Sequence, residues 1–156
     1  MRAGGTSGAS LCSRPMSGSA DVPDLPEPQR GASGAAPLEA GAERTDEFEV
    51  AGALLTDVGG TIGAAVLSTP GMIAMMERTA AVLAYEALPE GAATVGFEVC
   101  VKHVGPAAEG ATCTVRAKLN EIVDDRKLYF DVAVTEGERT IGVGTHQRRV
   151  IAVPEG

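Results

Sequence analysis

The feature that most constrains this chain is a single change of hydrophobic period. From Thr69 to about Leu88 the apolar residues recur at helical spacing, and beyond Gly91 they alternate one by one. Met72, Met76, Ala80, Leu83 and Ala87 fall in a narrow stripe at ~100° per residue, with Ile73 and Thr79 flanking it. Thr69-Pro70 opens the segment: a Thr side chain accepts from the free amides of a first turn, and Pro at the first helical position forfeits no hydrogen bond. Pro89 and Gly91 close it. Downstream, Val95, Phe97, Val99 and Val101 alternate with Gly96, Glu98, Cys100 and Lys102. Cys113, Val115, Ala117 and Leu119 then alternate with Thr114, Arg116 and Lys118, and Leu128, Phe130, Val132 and Val134 with Tyr129 and Asp131. Turns are predicted at Glu109-Gly110, Asp124-Asp125-Arg126 and Glu136-Gly137-Glu138, and a last strand over about 140–153. With a first strand over 43–50, this predicts an α+β fold: one long central helix wrapped by a five-stranded antiparallel sheet.

Upstream of that domain, residues 1–42 are Gly, Ser, Ala and Pro with scattered charge and no period. Such a stretch cannot offset its ordering entropy and is expected to be a disordered tail, leaving 43–156 as the domain. Between the first strand and the helix, residues 54–67 contain Gly59, Gly60 and Gly63 and read as an irregular or short helical covering segment. Its Gly-Gly-Thr-Ile-Gly run lacks the Gly-Lys-Ser/Thr of a phosphate loop.

Composition narrows the partners. A net charge of −8 opposes binding to a phosphate backbone, and two Tyr, three Phe and no Trp give little to stack bases on, so no nucleic-acid partner is expected. Three cysteines without a CxxC suit a reduced setting better than a disulfide framework. No apolar run reaches signal-peptide or membrane-span length, so the expectation is a cytoplasmic protein with no membrane partner. No metal or other cofactor is implied.

Three polar residues lie where chemistry is possible. His103 continues the odd-numbered face of the first downstream strand, towards the helix; a lone His there is more commonly a satisfied core residue than a catalyst. Glu77 sits at the margin of the apolar stripe, where a carboxylate is either plain surface or a base at the edge of a groove. Thr69 is fully explained as a helix cap. His146 reads as structural, hydrogen-bonding near a strand bulge, and the methionines of the helix (Met72, Met75, Met76) read as core before acyl pocket.

Taken together, LSTPGMIAMME from Leu67 to Glu77, VCVKH from Val99 to His103 and GVGTHQR from Gly142 to Arg148 resemble the thioesterases related to fluoroacetyl-CoA thioesterase. The resemblance covers roughly 43–153 and implies a hotdog fold, a dimer and hydrolysis of an acyl-CoA or acyl-carrier thioester. Since eight residues of one straight helix span ~12 Å, Thr69 and Glu77 of one subunit cannot meet within it. A site at the seam of a homodimer is favoured over a chain that folds back before Pro70. By the resemblance, Thr69, Glu77 and His103 match the family's catalytic threonine, glutamate and histidine. Gly96 matches a glycine lining the site and Arg148 a basic residue of the last strand. Thioester chemistry then predicts that Glu77 attacks the carbonyl or activates water, that Thr69 positions that nucleophile or the carbonyl, that His103 orients it and protonates the leaving thiolate, and that amides at Gly71 and Met72 steady the oxyanion. Gly63 stands where the fluoroacetyl-specific member has a Phe, so the implied substrate is some other acyl-CoA. Two alternatives share the fold: a non-catalytic acyl-CoA-binding protein, and a hydratase, whose Asp-x-x-x-x-His arrangement is missing here.

Overall fold

The computed structural model describes residues 36–154; of the tail expected over 1–42, residues 1–35 lie outside the described residues. The chain runs through β1 (Glu43–Glu49), a 3-10 turn (Gly52–Leu54), β2 (Leu55–Thr56), β3 (Val66–Leu67), α1 (Thr69–Ala87), β4 (Ala92–His103), β5 (Thr112–Val123), β6 (Lys127–Glu136) and β7 (Arg139–Ala152). Five strands form one antiparallel sheet in the order β1-β5-β6-β7-β4, and α1 touches every one of them. This is the hotdog arrangement, a long helix wrapped by its sheet. Leu38 already packs against the core, and the Gly41 N–H donates to Leu119 O at 2.7 Å, so ordered packing begins just before β1.

The core is built where the two periodicities face each other. Met72, Met75, Met76 and Ala80 of α1 meet Val115, Leu119, Leu128, Phe130 and Val134 of the sheet, all essentially without solvent contact. The buried face of α1 is wider than the expected stripe. Thr79, Val82 and Ala84 are buried as well, whereas Leu83 and Ala87 are half-buried, because a helix laid in a curved sheet is contacted from both flanks. Thr79 enters this apolar layer by donating its hydroxyl to Met75 O at 3.0 Å, which removes the cost of an unpaired buried hydroxyl.

Two local readings need correction. Thr69 is not the cap of α1. Ser68, with extended backbone, accepts from the Gly71 N–H at 2.9 Å, so Thr69 and Pro70 are the first two helical residues. Either hydroxyl can cap, and Pro is tolerated throughout a first turn; the shift by one residue releases the Thr69 hydroxyl for other work. In β4, the odd-numbered face is not continuous. Gly96 pairs with Arg148 and Glu98 with Gln147, leaving Phe97 as the extra residue of a β-bulge. An inserted residue exchanges the two faces of a strand. Val95 and Phe97 therefore point outwards, 44% and 62% exposed, with the Arg149 guanidinium 3.7 Å over the Phe97 ring. Val101 and His103, beyond the bulge, keep the inward direction.

The covering segment is a small hairpin. Leu55 pairs with Leu67 and Thr56 with Val66, and between them residues 57–65 turn through left-handed backbone at Val58, Gly59, Gly60 and Gly63. Val58 and Ile62 stand exposed on it. Among the described residues the sheet ends in two edge strands. β1 carries Glu43, Arg44, Asp46, Glu47 and Glu49 along seven residues, while β4 forms the other.

Candidate active site

The residues singled out from sequence fall into two groups in the folded chain. At the start of α1, the freed Thr69 hydroxyl lies 3.0 Å from His103 Nδ1. The other ring nitrogen of His103, Nε2, is buried and has no hydrogen-bond partner among the described residues. A buried ring nitrogen without a partner is rare enough to require a reason. The helix that brings Thr69 here and the strand that brings His103 are both regular at these points, so the pair is held by two rigid elements.

Glu77 lies two turns further along α1, a rise of ~12 Å from Thr69, and belongs to the second group. There a cleft of about 340 Å³ opens between α1 and the first half of β4, lined by Glu77, Tyr85, Thr94, Gly96 and Arg148 among others. The Glu77 side chain is 41% exposed at its mouth. Gly96 faces the carboxylate directly: a Cβ at this position would stand 2.5 Å from Glu77 Oε1. The glycine is what gives the carboxylate its place.

Behind Glu77 stands a polar group that sequence reasoning only partly saw. His146, 1% exposed, bonds through Nδ1 to Glu98 O at 2.8 Å, directly beside the bulge. A carbonyl only accepts, so Nδ1 carries the proton and Nε2 is left as an acceptor. It accepts from Arg148 Nη1 at 3.1 Å. Arg148, 6% exposed, also donates through Nε to Thr94 Oγ1 at 2.8 Å and through Nη2 to Thr94 O at 3.0 Å. All three of these acceptors are uncharged. Burial pushes the Arg148 pKa below its ordinary value, and the charge of Glu77 works in the opposite direction.

Burial likewise lowers the His146 pKa from 6.5 to about 4; the Glu98 carbonyl opposes this and the Arg148 charge adds to it. His146 is therefore neutral at neutral pH. Its 3.9 Å approach to Glu77 Oε1 is then not an ion pair, and the cation that answers the carboxylate is Arg148. The structural reading of His146 near a bulge describes what it does; its bond to Arg148 was not legible. Thr94 and Ser68 were missed. A glycine inside a strand is a signal for a bulge, and Gly96 carried that signal here.

The amides expected to steady an oxyanion are already engaged. The Gly71 N–H donates to Ser68 Oγ and the Met72 N–H to Ser68 O at 2.9 Å. Gly71 is instead needed for packing, because a Cβ there would meet Leu54 O at 2.7 Å, and the Met72 side chain is core. Among the described residues no three His, Cys, Asp or Glu side chains gather to hold a metal ion, and no helix is long and apolar enough to cross a membrane.

Comparison with known proteins gives consistent results. A family model described as fluoroacetyl-CoA-specific thioesterase matches residues 51–153. A curated protein named fluoroacetyl-CoA thioesterase, from Streptantibioticus cattleyicolor, is 35% identical over 86 residues, 55% of this chain and 61% of that relative. The match thus spans less than two thirds of the relative's length. Among solved structures, a phenylalanine-to-alanine variant of the fluoroacetyl-CoA-specific thioesterase in complex with fluoroacetate and CoA superposes with a TM-score of 0.67. It is 27% identical, over 74% of this chain and 96% of that one. A hot-dog-like protein from Thermanaerovibrio acidaminovorans, 19% identical with a TM-score of 0.66 over 72% of this chain and 83% of that one, shares the fold.

Proposed function

The chain belongs to the fluoroacetyl-CoA-specific thioesterase family, and from that premise we propose that it hydrolyses an acyl-CoA thioester to a free acid and CoA. The observation that carries this reading is the Thr69–His103 contact at 3.0 Å, with His103 Nε2 buried and unpartnered among the described residues. If the Thr69 hydroxyl donates to Nδ1, the ring proton sits on Nε2, where it can pass to a leaving group.

Glu77 of the same chain stands in a different place, ~12 Å along α1, so a complete site joins Glu77 of one subunit to Thr69 and His103 of another. The β4 edge strand is where two copies would meet, since it runs past both groups. A homodimer with two identical seam sites satisfies this. In each, the Glu77 carboxylate attacks the thioester carbonyl carbon directly, giving an anhydride that water opens, or takes a proton from the water that attacks. The tetrahedral adduct collapses, the C–S bond breaks, and the thiolate takes the proton of His103 Nε2. Thr69 fixes the ring in the orientation this requires. The substrate is an acyl-CoA other than fluoroacetyl-CoA, because Gly63 leaves the 57–65 hairpin without an aromatic cover.

Mixing Thr69→Ala with Glu77→Ala subunits tests the seam. Each variant alone should release almost no thiol. In an equimolar exchange, half the dimers are mixed and each mixed dimer has one intact site, so about a quarter of wild-type activity should return. No recovery after verified exchange would place the whole site within one chain.

A further inference from the structure

We propose that His146 is a positioning residue for this reaction: it holds the Arg148 guanidinium towards the Glu77 carboxylate and pins the β4 bulge that makes room for that carboxylate. This rests on the reading of Glu77 as base or nucleophile given above. The imidazole cannot easily turn. It is 1% exposed, stacked on Phe130 with ring centroids 6.2 Å apart and planes 28° apart, and bonded at both nitrogens.

Its two bonds have separate consequences. Nδ1–H to Glu98 O, at 2.8 Å, ties β7 to the backbone at the register shift between Gly96 and Glu98. That shift turns Gly96 inwards, and Glu77 Oε1 occupies the space beside it. The bare Nε2 takes Arg148 Nη1 at 3.1 Å while Thr94 takes two further donors, which leaves the guanidinium fixed in the cleft wall with its charge unmatched by any of its bonded acceptors. A protonated imidazole would present N–H to N–H at this contact and push Arg148 out; its lowered pKa keeps the ring neutral. A core-filling histidine would account for the burial and for one bond. It would not account for a buried arginine oriented by an imidazole lone pair, with a carboxylate 3.9 Å from that same nitrogen.

Two measurements on the full chain test this. The first is 15N NMR of the histidine rings; the sequence has two, and His146→Gln assigns them. At pH 7, His146 should be neutral with the proton on Nδ1 and should stay so at pH 5. A cation or the opposite tautomer overturns the proposal. The second is thiol release from whichever of a panel of short, long, branched and aryl acyl-CoAs the wild type turns over fastest. His146→Leu should lower kcat about 30-fold with KM changed by no more than about twofold. His146→Gln, which keeps an acceptor for Arg148, should recover most of this, and in a Glu77→Gln background the leucine change should cost nothing further. An equal loss in that background, or no advantage of Gln over Leu, refutes the positioning role. His146→Asn, whose amide reaches Glu98 but not Arg148, replaces the leucine variant if that chain does not fold. Absence of thiol release by the wild type would remove the hydrolase reading instead, and the ring tautomer would still decide the arrangement proposed around Arg148.

Discussion

Acidification below neutral pH should destabilise the protein through His146. His146 resists its proton in the fold, with a pKa lowered to about 4 by burial, and accepts it at the ordinary 6.5 when unfolded. Between those values the unfolded chain binds more protons than the folded one, so stability rises with pH across this window and falls as pH drops through it. The full difference corresponds to about 3 kcal/mol, and the part expressed between pH 7 and pH 5 to about 2 kcal/mol. For a domain with a typical stability of about 5–15 kcal/mol, that is a large fraction. His146 is almost wholly enclosed, so solvent screening takes little away. The groups that face it are the Glu98 carbonyl, Arg148, Glu77 and the Phe130 ring. Urea unfolding at a fixed protein concentration, at pH 7 and pH 5, for wild type and His146→Gln, isolates the effect. The variant is expected to lose about 2 kcal/mol less on acidification, whatever its stability at pH 7. Parallel losses in the two proteins would show that His146 takes up its proton in the fold as readily as in water, and the argument from burial would be wrong.

Ser68→Ala removes the cap from α1 and should cost about 1 kcal/mol, read as a fall of a few degrees in Tm, whereas Thr69→Ala should leave the cap intact. Gly96→Ala places a methyl against the end of the Glu77 side chain, which is partly exposed and can move; stability should change by less than about 1 kcal/mol while thiol release falls by at least about tenfold. Gly144→Ala makes the contrasting case. Its Cβ would overlap the Cys100 carbonyl oxygen and come within 2.6 Å of Val101 Cα, both backbone atoms of the paired strand, so about 3 kcal/mol or more should be lost in urea unfolding.

Helix and strands were legible because each has one apolar face over many residues, and Pro89-Glu90-Gly91 separates the two periods cleanly. The inner face of β4 was not, since a bulge inserts a residue without changing the local alternation of residue types. Val95 and Phe97 look as apolar as Val99 and Val101, and only the strand they pair with decides which side they take. The one-residue shift of the helix cap from Thr69 to Ser68 is of the same kind, because two adjacent hydroxyls offer similar acceptor geometry to the first-turn amides and tertiary contacts choose between them. His146 could be placed beside a bulge from its neighbours in sequence. Its bond to Arg148 joins residues two apart on one face of β7, but the cleft that gives the bond meaning is formed by α1 and β4, distant in sequence.

The unequal charge of the two sheet borders has a consequence for assembly. Copies adding strand to strand without limit would need both borders to accept a newcomer. Of these, β1 sets Glu43, Asp46, Glu47 and Glu49 against a single Arg44, so two such strands brought side by side repel. If copies pair through the other border, as in the proposed dimer, that border is used up, and the acidic β1 border disfavours further strand-to-strand growth.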